Sequence, residues 1–246
     1  MNIQKLPWAG IRIEAGKTAV VIDPLFNFPS IFGQPHGSLY PLDEFGPADA
    51  VLVTHQHYDH FDPDAIAAYY GEQIPVYIPS KALELVQTDK LKSLTGVRAG
   101  DSFEVGELTV TATYSVDGVG DSQVAWIVED GEKKLIHCGD TLWHGYWWKI
   151  AGAYGPFDAA CLPVNGALLE RPGMEPPSGQ PICLTPEQAV SAAVILSAAT
   201  LIPIHYGLVH HPPIYTQTPD LLERLRAAAE NTVKLSILET KEMISL

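Results

Sequence analysis

Apolar residues fall along this chain in short runs, some alternating and some continuous, interleaved with stretches of helical spacing. Residues 8–14 and 18–23 read as two strands joined by a turn at Ala15-Gly16-Lys17, and residues 49–54 as a buried strand. A helix is expected from Phe61-Asp62-Pro63 onward, because Asp62 can cap it and Pro63 suits its first turn. A short strand at Val76-Tyr77-Ile78 and a helix over residues 81–88 follow. The centre is rich in strands, at residues 102–105, 108–114, 124–129 and 134–137, with Asp130-Gly131 as a hairpin turn. The last third reads as a strand at 158–164, a helix over 185–197, a strand at 200–205, a helix over 219–230 and a strand at 233–238.

This alternation predicts an α/β layered fold in one domain spanning residues 1–246, within the size that one such domain can reach. Several apolar strands run into residues that can bind metal or substrate. Val51-Leu52-Val53 leads to His55, Leu135-Ile136 to Asp140, Leu162-Pro163-Val164 to Asn165, and Leu201-Ile202-Pro203-Ile204 to His205. In layered α/β proteins sites gather at the carboxyl ends of strands, so these points are expected to converge on one cleft. Residues 166–184, rich in Pro and Gly and without periodicity, form a loop of a length that is usually functional or mobile.

Thr54-His55-Gln56-His57-Tyr58-Asp59-His60 places three imidazoles and a carboxylate directly behind an apolar strand. Imidazole and carboxylate bind divalent transition ions, and a turn at a strand end can aim neighbouring side chains at one point. Solvated loop histidines are the bland alternative, but three of only nine histidines fall in this window around an Asp.

Composition narrows the partners. With 46% hydrophobic and 18% charged residues the chain is ordinary globular material, and no apolar stretch is long enough to cross a bilayer. The formal net charge of −14, with fifteen Lys and Arg scattered without a run, argues against nucleic acid. A small molecule is the expected partner, and a homo-oligomer is compatible with everything read so far. Cys138, Cys161 and Cys183 are an odd number at wide spacing, which fits buried reduced thiols. The first residues lack a basic segment followed by an apolar one, so a cytoplasmic location is expected.

The ordered set of Thr54 to His60, then Gly139-Asp140-Thr141, then Pro203-Ile204-His205-Tyr206-Gly207 resembles the motifs of the metallo-β-lactamase fold superfamily. Leu162-Pro163-Val164-Asn165-Gly166 and Leu184-Thr185-Pro186-Glu187-Gln188-Ala189 further resemble its branch of small metal-dependent hydrolases that includes L-ascorbate-6-phosphate lactonase. The resemblance implies a four-layer αββα sandwich. It implies His55 and His57 as ligands of a first metal, Asp59 and His60 of a second, Asp140 as a bridging carboxylate and His205 as a second-site ligand. A further first-site histidine, usual in the family, is replaced: Tyr114 stands in its place, with Asp117 and Asp121 a few residues on. The first site is therefore expected to be the weaker. With no cysteine among these ligands, Zn²⁺, Mn²⁺ and Fe²⁺ are all admissible, as one ion or two.

Such a site implies an enzyme that hydrolyses a small-molecule lactone, ester or phosphoester with metal-activated water, Asp59 orienting that water or accepting its proton. Trp143 and Tyr146, just beyond Asp140, and Asn165 are candidate substrate contacts, with helix-core packing as the alternative for the Trp143 to Trp148 run. A noncatalytic metal-binding or sensing protein on the same fold, and a small-molecule phosphodiesterase, remain the competing readings.

Overall fold

The computed structural model describes residues 1–246. The amino-terminal half supplies β1 (Asn2–Lys5), β2 (Ile11–Ala15), β3 (Thr18–Ile22), β4 (Ala50–Leu52), β5 (Val76–Pro79) and β6 (Leu94–Val97). Two helices, α1 (Pro63–Tyr70) and α2 (Ser80–Leu83), lie between them in sequence. There follow β7 (Ser102–Val105), β8 (Leu108–Tyr114), β9 (Val124–Glu129), β10 (Lys134–His137), α3 (Trp147–Tyr154), β11 (Phe157–Pro163), β12 (Leu168–Leu169) and α4 (Pro186–Ile195). The chain closes with β13 (Ala198–Ile204), β14 (Tyr215–Thr216), α5 (Leu221–Ala229), β15 (Lys234–Leu235) and β16 (Met243–Ser245).

These strands build two seven-stranded sheets, ordered β16-β1-β2-β3-β4-β5-β6 and β15-β13-β11-β10-β9-β8-β7, plus the ribbon β12-β14. Each sheet is antiparallel at one side and parallel at the other: β3 to β6 run parallel, as do β10, β11, β13 and β15. The period-two direction of strand side chains explains the layers. Val20, Ile22, Ala50 and Leu52 enter one core with Val124, Trp126, Ala159, Cys161, Ile202 and Ile204 of the facing sheet. Their neighbours point outward. Val51 and Val53 pack with Ala65 and Ile66 of α1. Ala160, Leu162 and Leu201 pack with Trp147, Ala189, Ala193 and Leu225 of α3, α4 and α5. Helix, sheet, sheet and helix layers follow, which is the αββα arrangement expected.

Several elements differ from the sequence reading. The expected strand over 8–14 begins only at Ile11, because Trp8 adopts a left-handed backbone (φ 58°) that turns the chain. The expected helix over 81–88 is the single turn α2; beyond it Leu85 is exposed, so the apolar residues there form no buried stripe. The strand over 233–238 is only β15. Strands β1, β6 and β16 were not legible, since each offers few apolar positions and β6 contains a glycine. The loop over 166–184 is tied at its start by β12 and by Ile182 N donating to the Ala167 carbonyl (2.8 Å). All three cysteines are buried and unpaired.

Candidate metal centre

The parallel strands end on one side of the sandwich, and their carboxyl ends carry the polar groups. Asp23 follows β3, the His55 to His60 turn follows β4, Asp140 follows β10, Asn165 follows β11 and His205 follows β13. His205 and Asp23 both have left-handed backbones (φ 58° and 46°), a conformation uncommon outside glycine and one that clusters at functional sites. Gly139 is required where it stands. With φ 65°, a conformation strained for any side chain, an added Cβ would also lie 3.0 Å from Thr54 Oγ1 and 3.2 Å from Gln123 Oε1 and would push on the histidine turn.

Each histidine has one ring nitrogen anchored by a neighbouring side chain, and His55 and His57 also meet each other through the second. Thr54 Oγ1 donates to Asp23 Oδ2 (2.7 Å), and because its one proton is thereby used, it accepts from His55 Nδ1 (3.0 Å). That fixes the His55 tautomer with a lone pair on Nε2. His60 Nδ1 donates to Asp23 Oδ2 at 2.8 Å, leaving Nε2 buried without a partner. His57 Nε2 lies 2.7 Å from Asp121 Oδ2, and its Nδ1 faces His55 Nε2 (2.9 Å) and Asp117 Oδ2 (3.7 Å). The Asn165 amide lies 3.2 Å from His205 Nδ1 and 2.6 Å from the Tyr215 hydroxyl, while His205 Nε2 is buried and unpartnered.

The inward-facing atoms form overlapping sets. His55, His57, Asp117 and Asp140 offer ligand atoms within 4.8 Å of one another, as do Asp59, His60 and His205, and also Asp140, Cys183 and His205. Asp140 therefore stands between the two histidine groups. Its Oδ1 is 3.8 Å from His55 Nε2 and has no hydrogen-bond partner. Three buried, orphaned donor atoms (His60 Nε2, His205 Nε2 and Asp140 Oδ1) converging beside carboxylates fit a divalent cation, since buried polar groups are otherwise paired.

The electrostatics are strongly perturbed. Burial pushes the Asp140 carboxyl up to about 7, with His60 acting the other way. Burial also works against ionised Asp59, but His60, His205 and His55 outweigh it and hold that carboxyl well below its ordinary range. Burial lowers His55 well below its ordinary value and brings His205 down to about 4. His60, although burial opposes its charge, is raised to about 10 by Asp59 and Asp23.

Several sequence-predicted residues lie elsewhere. Tyr114 is exposed, stacked on Tyr146 (ring centroids 4.4 Å apart), and belongs to none of the ligand sets; Asp117 is the residue beside His57. Trp143 and Tyr146 do not line the cleft above the histidines. After Asp140 the chain is drawn away by Leu142 N donating to the Val116 carbonyl (2.9 Å) and by Trp147, the first residue of α3, burying in the core between β11 and α4, so sequence proximity to Asp140 does not become proximity in space. Asn165 is fully buried behind His205 rather than presented to a substrate. His36, His210 and His211 are exposed, and His137 is buried with Nε2 donating to the Ala9 carbonyl (2.8 Å). Sequence reading missed Asp23 and Trp8, and its expectation of no cysteine among the ligands is corrected by Cys183, read only as a buried thiol, whose Sγ lies in one ligand set with Asp140 and His205. The only signal for Asp23 was its place at the end of a predicted strand, and Trp8 gave none.

A cleft of about 480 Å³ opens over the site. His57, Asp59, Asp117, Asp121, Asp140 and His205 form its polar floor. Phe32, Leu85, Val86, Ile182 and Tyr215 are among its apolar walls, and Arg171 is its single Arg or Lys. Gly118 lets the 117–121 loop close against the other wall, where an added Cβ would fall 2.0 Å from the Ile182 carbonyl oxygen.

Fold, strand-end ligand sets and cleft together define a metallo-β-lactamase-type centre. The family model for the Beta-lactamase superfamily domain matches residues 18–206, and the chain belongs to that superfamily. Among its relatives, a UPF0173 metal-dependent hydrolase of Thermococcus kodakarensis is 29% identical over 237 residues, covering 92% of each chain. One of Myxococcus xanthus is 29% identical over 237 residues, covering 91% of this chain and 75% of its own. Among solved structures, a possible metal-dependent hydrolase from Veillonella parvula superposes with TM-score 0.76 at 18% identity, covering 100% of this chain and 99% of that one. The isothiocyanate hydrolase from Delia radicum gut bacteria superposes with TM-score 0.76 at 19% identity over the same shares. These superpositions speak to the fold alone. No helix is long and apolar enough to cross a membrane.

Proposed function

We propose that this metal-dependent hydrolase of the metallo-β-lactamase superfamily acts on a small-molecule lactone, ester or phosphoester. The observation that carries the reading is that His60 and His205 are each held through Nδ1 with a buried, unpartnered Nε2, next to the His55–His57 pair and the unpartnered Oδ1 of Asp140. That is how metal-ligating imidazoles are oriented by an outer shell of partners. In this reading His55, His57, Asp117 and Asp140 hold a first ion, and Asp59, His60 and His205 hold a second with Asp140 between them. Asp117 takes the position expected of a histidine, so the first site is richer in oxygen, which admits Mn²⁺ as well as Zn²⁺.

A bound divalent ion would lower the pKa of water to about 7 and polarise a carbonyl or phosphoryl oxygen. The chain's own residues do the rest. Asp59, on the cleft floor beside His60 and His205, orients the attacking water or accepts its proton. The apolar walls hold the body of the substrate, and Arg171 provides for an anionic substituent. The net charge of −14 and a cleft of about 480 Å³ support a small molecule over nucleic acid.

The experiment is a panel of lactones, carboxylic esters, thioesters and phosphodiesters offered to protein reconstituted separately with Zn²⁺ and Mn²⁺. Turnover of one class, removed by chelation and abolished in Asp59→Ala and His60→Ala, is the expected result. Stoichiometric metal with no turnover of any class would favour the sensing role instead.

A further inference from the structure

The loop between β1 and β2 reaches into the metal centre from the chain's amino terminus. Trp8 Nε1 donates to Asp59 Oδ2 at 2.9 Å. That same oxygen is 3.5 Å from His205 Nε2 and 3.7 Å from His60 Nε2, the two buried nitrogens without partners. The Trp8 ring also packs on the His205 ring, centroids 4.0 Å apart, and the Trp8 carbonyl accepts from His205 N (3.2 Å). One residue therefore touches two of the three side chains in the Asp59, His60 and His205 set.

The loop is built to hold Trp8 there. Leu6 N donates to the Gly10 carbonyl and Gly10 N to the Pro7 carbonyl, both at 2.9 Å, closing a tight turn. Trp8 sits in it with φ 58° and is only 3% exposed. The buried Lys5 Nζ donates to the carbonyls of Leu6, Trp8 (2.6 Å) and Gly10 (3.5 Å), tying the turn from beneath. A left-handed backbone on a bulky residue is unfavourable by itself and persists only when its surroundings over-determine it.

We infer that Trp8 is a positioning residue of the metal centre: its indole N–H fixes the rotation of the Asp59 carboxylate while its ring fixes the plane of His205, so that both present their donor atoms to one ion. Without the N–H, the carboxylate can turn about its last torsion, and the ion loses a pre-set ligand. This rests on the proposed ligand set and extends it to a residue that has no contact with the ion itself. Outer-shell partners of this kind are worth about 10–100-fold in metal affinity.

Trp8→Phe keeps an aromatic ring beside His205 while deleting the N–H donor together with the second ring of the indole. Chelator-competition titrations of the purified chain with Zn²⁺ should show the second-site affinity reduced about 10-fold or more in Trp8→Phe, with first-site affinity unchanged. A second readout does not involve metal. In ¹⁵N-labelled protein the five tryptophans each carry one indole N–H, and the signal that vanishes in Trp8→Phe should be the one that moves in Asp59→Asn. Equal affinities in wild type and Trp8→Phe, or an indole signal indifferent to Asp59→Asn, overturn the inference and leave the ligand set standing. A wild-type chain that holds no ion removes the ligand set itself, and this inference with it.

Discussion

Asp23 Oδ2 accepts a hydrogen bond from His60 Nδ1 at 2.8 Å, between two side chains that have no solvent exposure. The same carboxylate accepts from Thr54 N (2.8 Å) and Thr54 Oγ1 (2.7 Å). One buried Asp thus sets the His60 tautomer directly and the His55 tautomer through Thr54. Asp23→Ala should lower metal affinity about 10–100-fold and cost about 1–3 kcal/mol for each donor left buried and unpaired. Chelator competition and urea unfolding of the metal-free chain check the two effects separately. Unchanged affinity would show that His60 is held by something else.

Asp117 presents one oxygen to His57 while the other accepts from Val119 N (2.8 Å) and Asp121 N (2.9 Å). Asp117→Asn keeps an acceptor for the loop and deletes the charge. Metal content should fall from two ions per chain to one, the retained ion being the tighter. Asp117→His should restore the second equivalent. Two ions in Asp117→Asn, measured by elemental analysis after dialysis, would exclude Asp117 as a ligand.

Arg171 is the single Arg or Lys lining the cleft. Hydrogen bonds to charged groups contribute about 1.5–3 kcal/mol, so Arg171→Met should raise KM for an acid-bearing substrate about 10–100-fold. A neutral analogue of the same scaffold should be nearly unaffected, and kcat should change little for either. Equal loss on both substrates would place Arg171 in loop structure rather than in recognition.

Burial pushes the Lys5 ammonium down to about 7, with Cys161 acting weakly the other way. Its folded pKa lies below its unfolded value, so the unfolded chain binds more protons between about pH 7 and 10.5 and stability rises with pH across that window. In reverse, the contribution is lost as pH falls toward 7. Lys5→Met should remove this slope, which paired Tm measurements at pH 7.5 and about 9.5 would register. A wild-type slope matched by the variant would assign the effect to other groups.

How much of this was legible follows from how far apart the partners lie. The apolar runs at Val20 to Ile22 and Ala50 to Val53 are local, so buried strands interleaved with helices could be read directly, whereas the four-layer αββα sandwich was what the resemblance implied. The cluster of His55, His57, Asp59 and His60 is also local, and it named the metal chemistry before any fold was known. Tyr114 stood where the familiar spacing placed a histidine, yet the strand carries it outward and the buried Asp117 comes in instead. Trp143 and Tyr146 were close to Asp140 in sequence and are absent from the cleft walls.

By itself, then, the sequence determined the alternation that sorts residues between inner and outer faces of two sheets, and the donor types gathered behind one strand. Tertiary structure decided which groups orient those donors: Trp8 on Asp59 across 51 residues, Asp121 on His57 across 64, and Asp23 on His60 across 37. Side-chain periodicity is a property of a few consecutive residues, whereas a hydrogen bond between strand ends depends on the register of a whole sheet. No local pattern encodes that register.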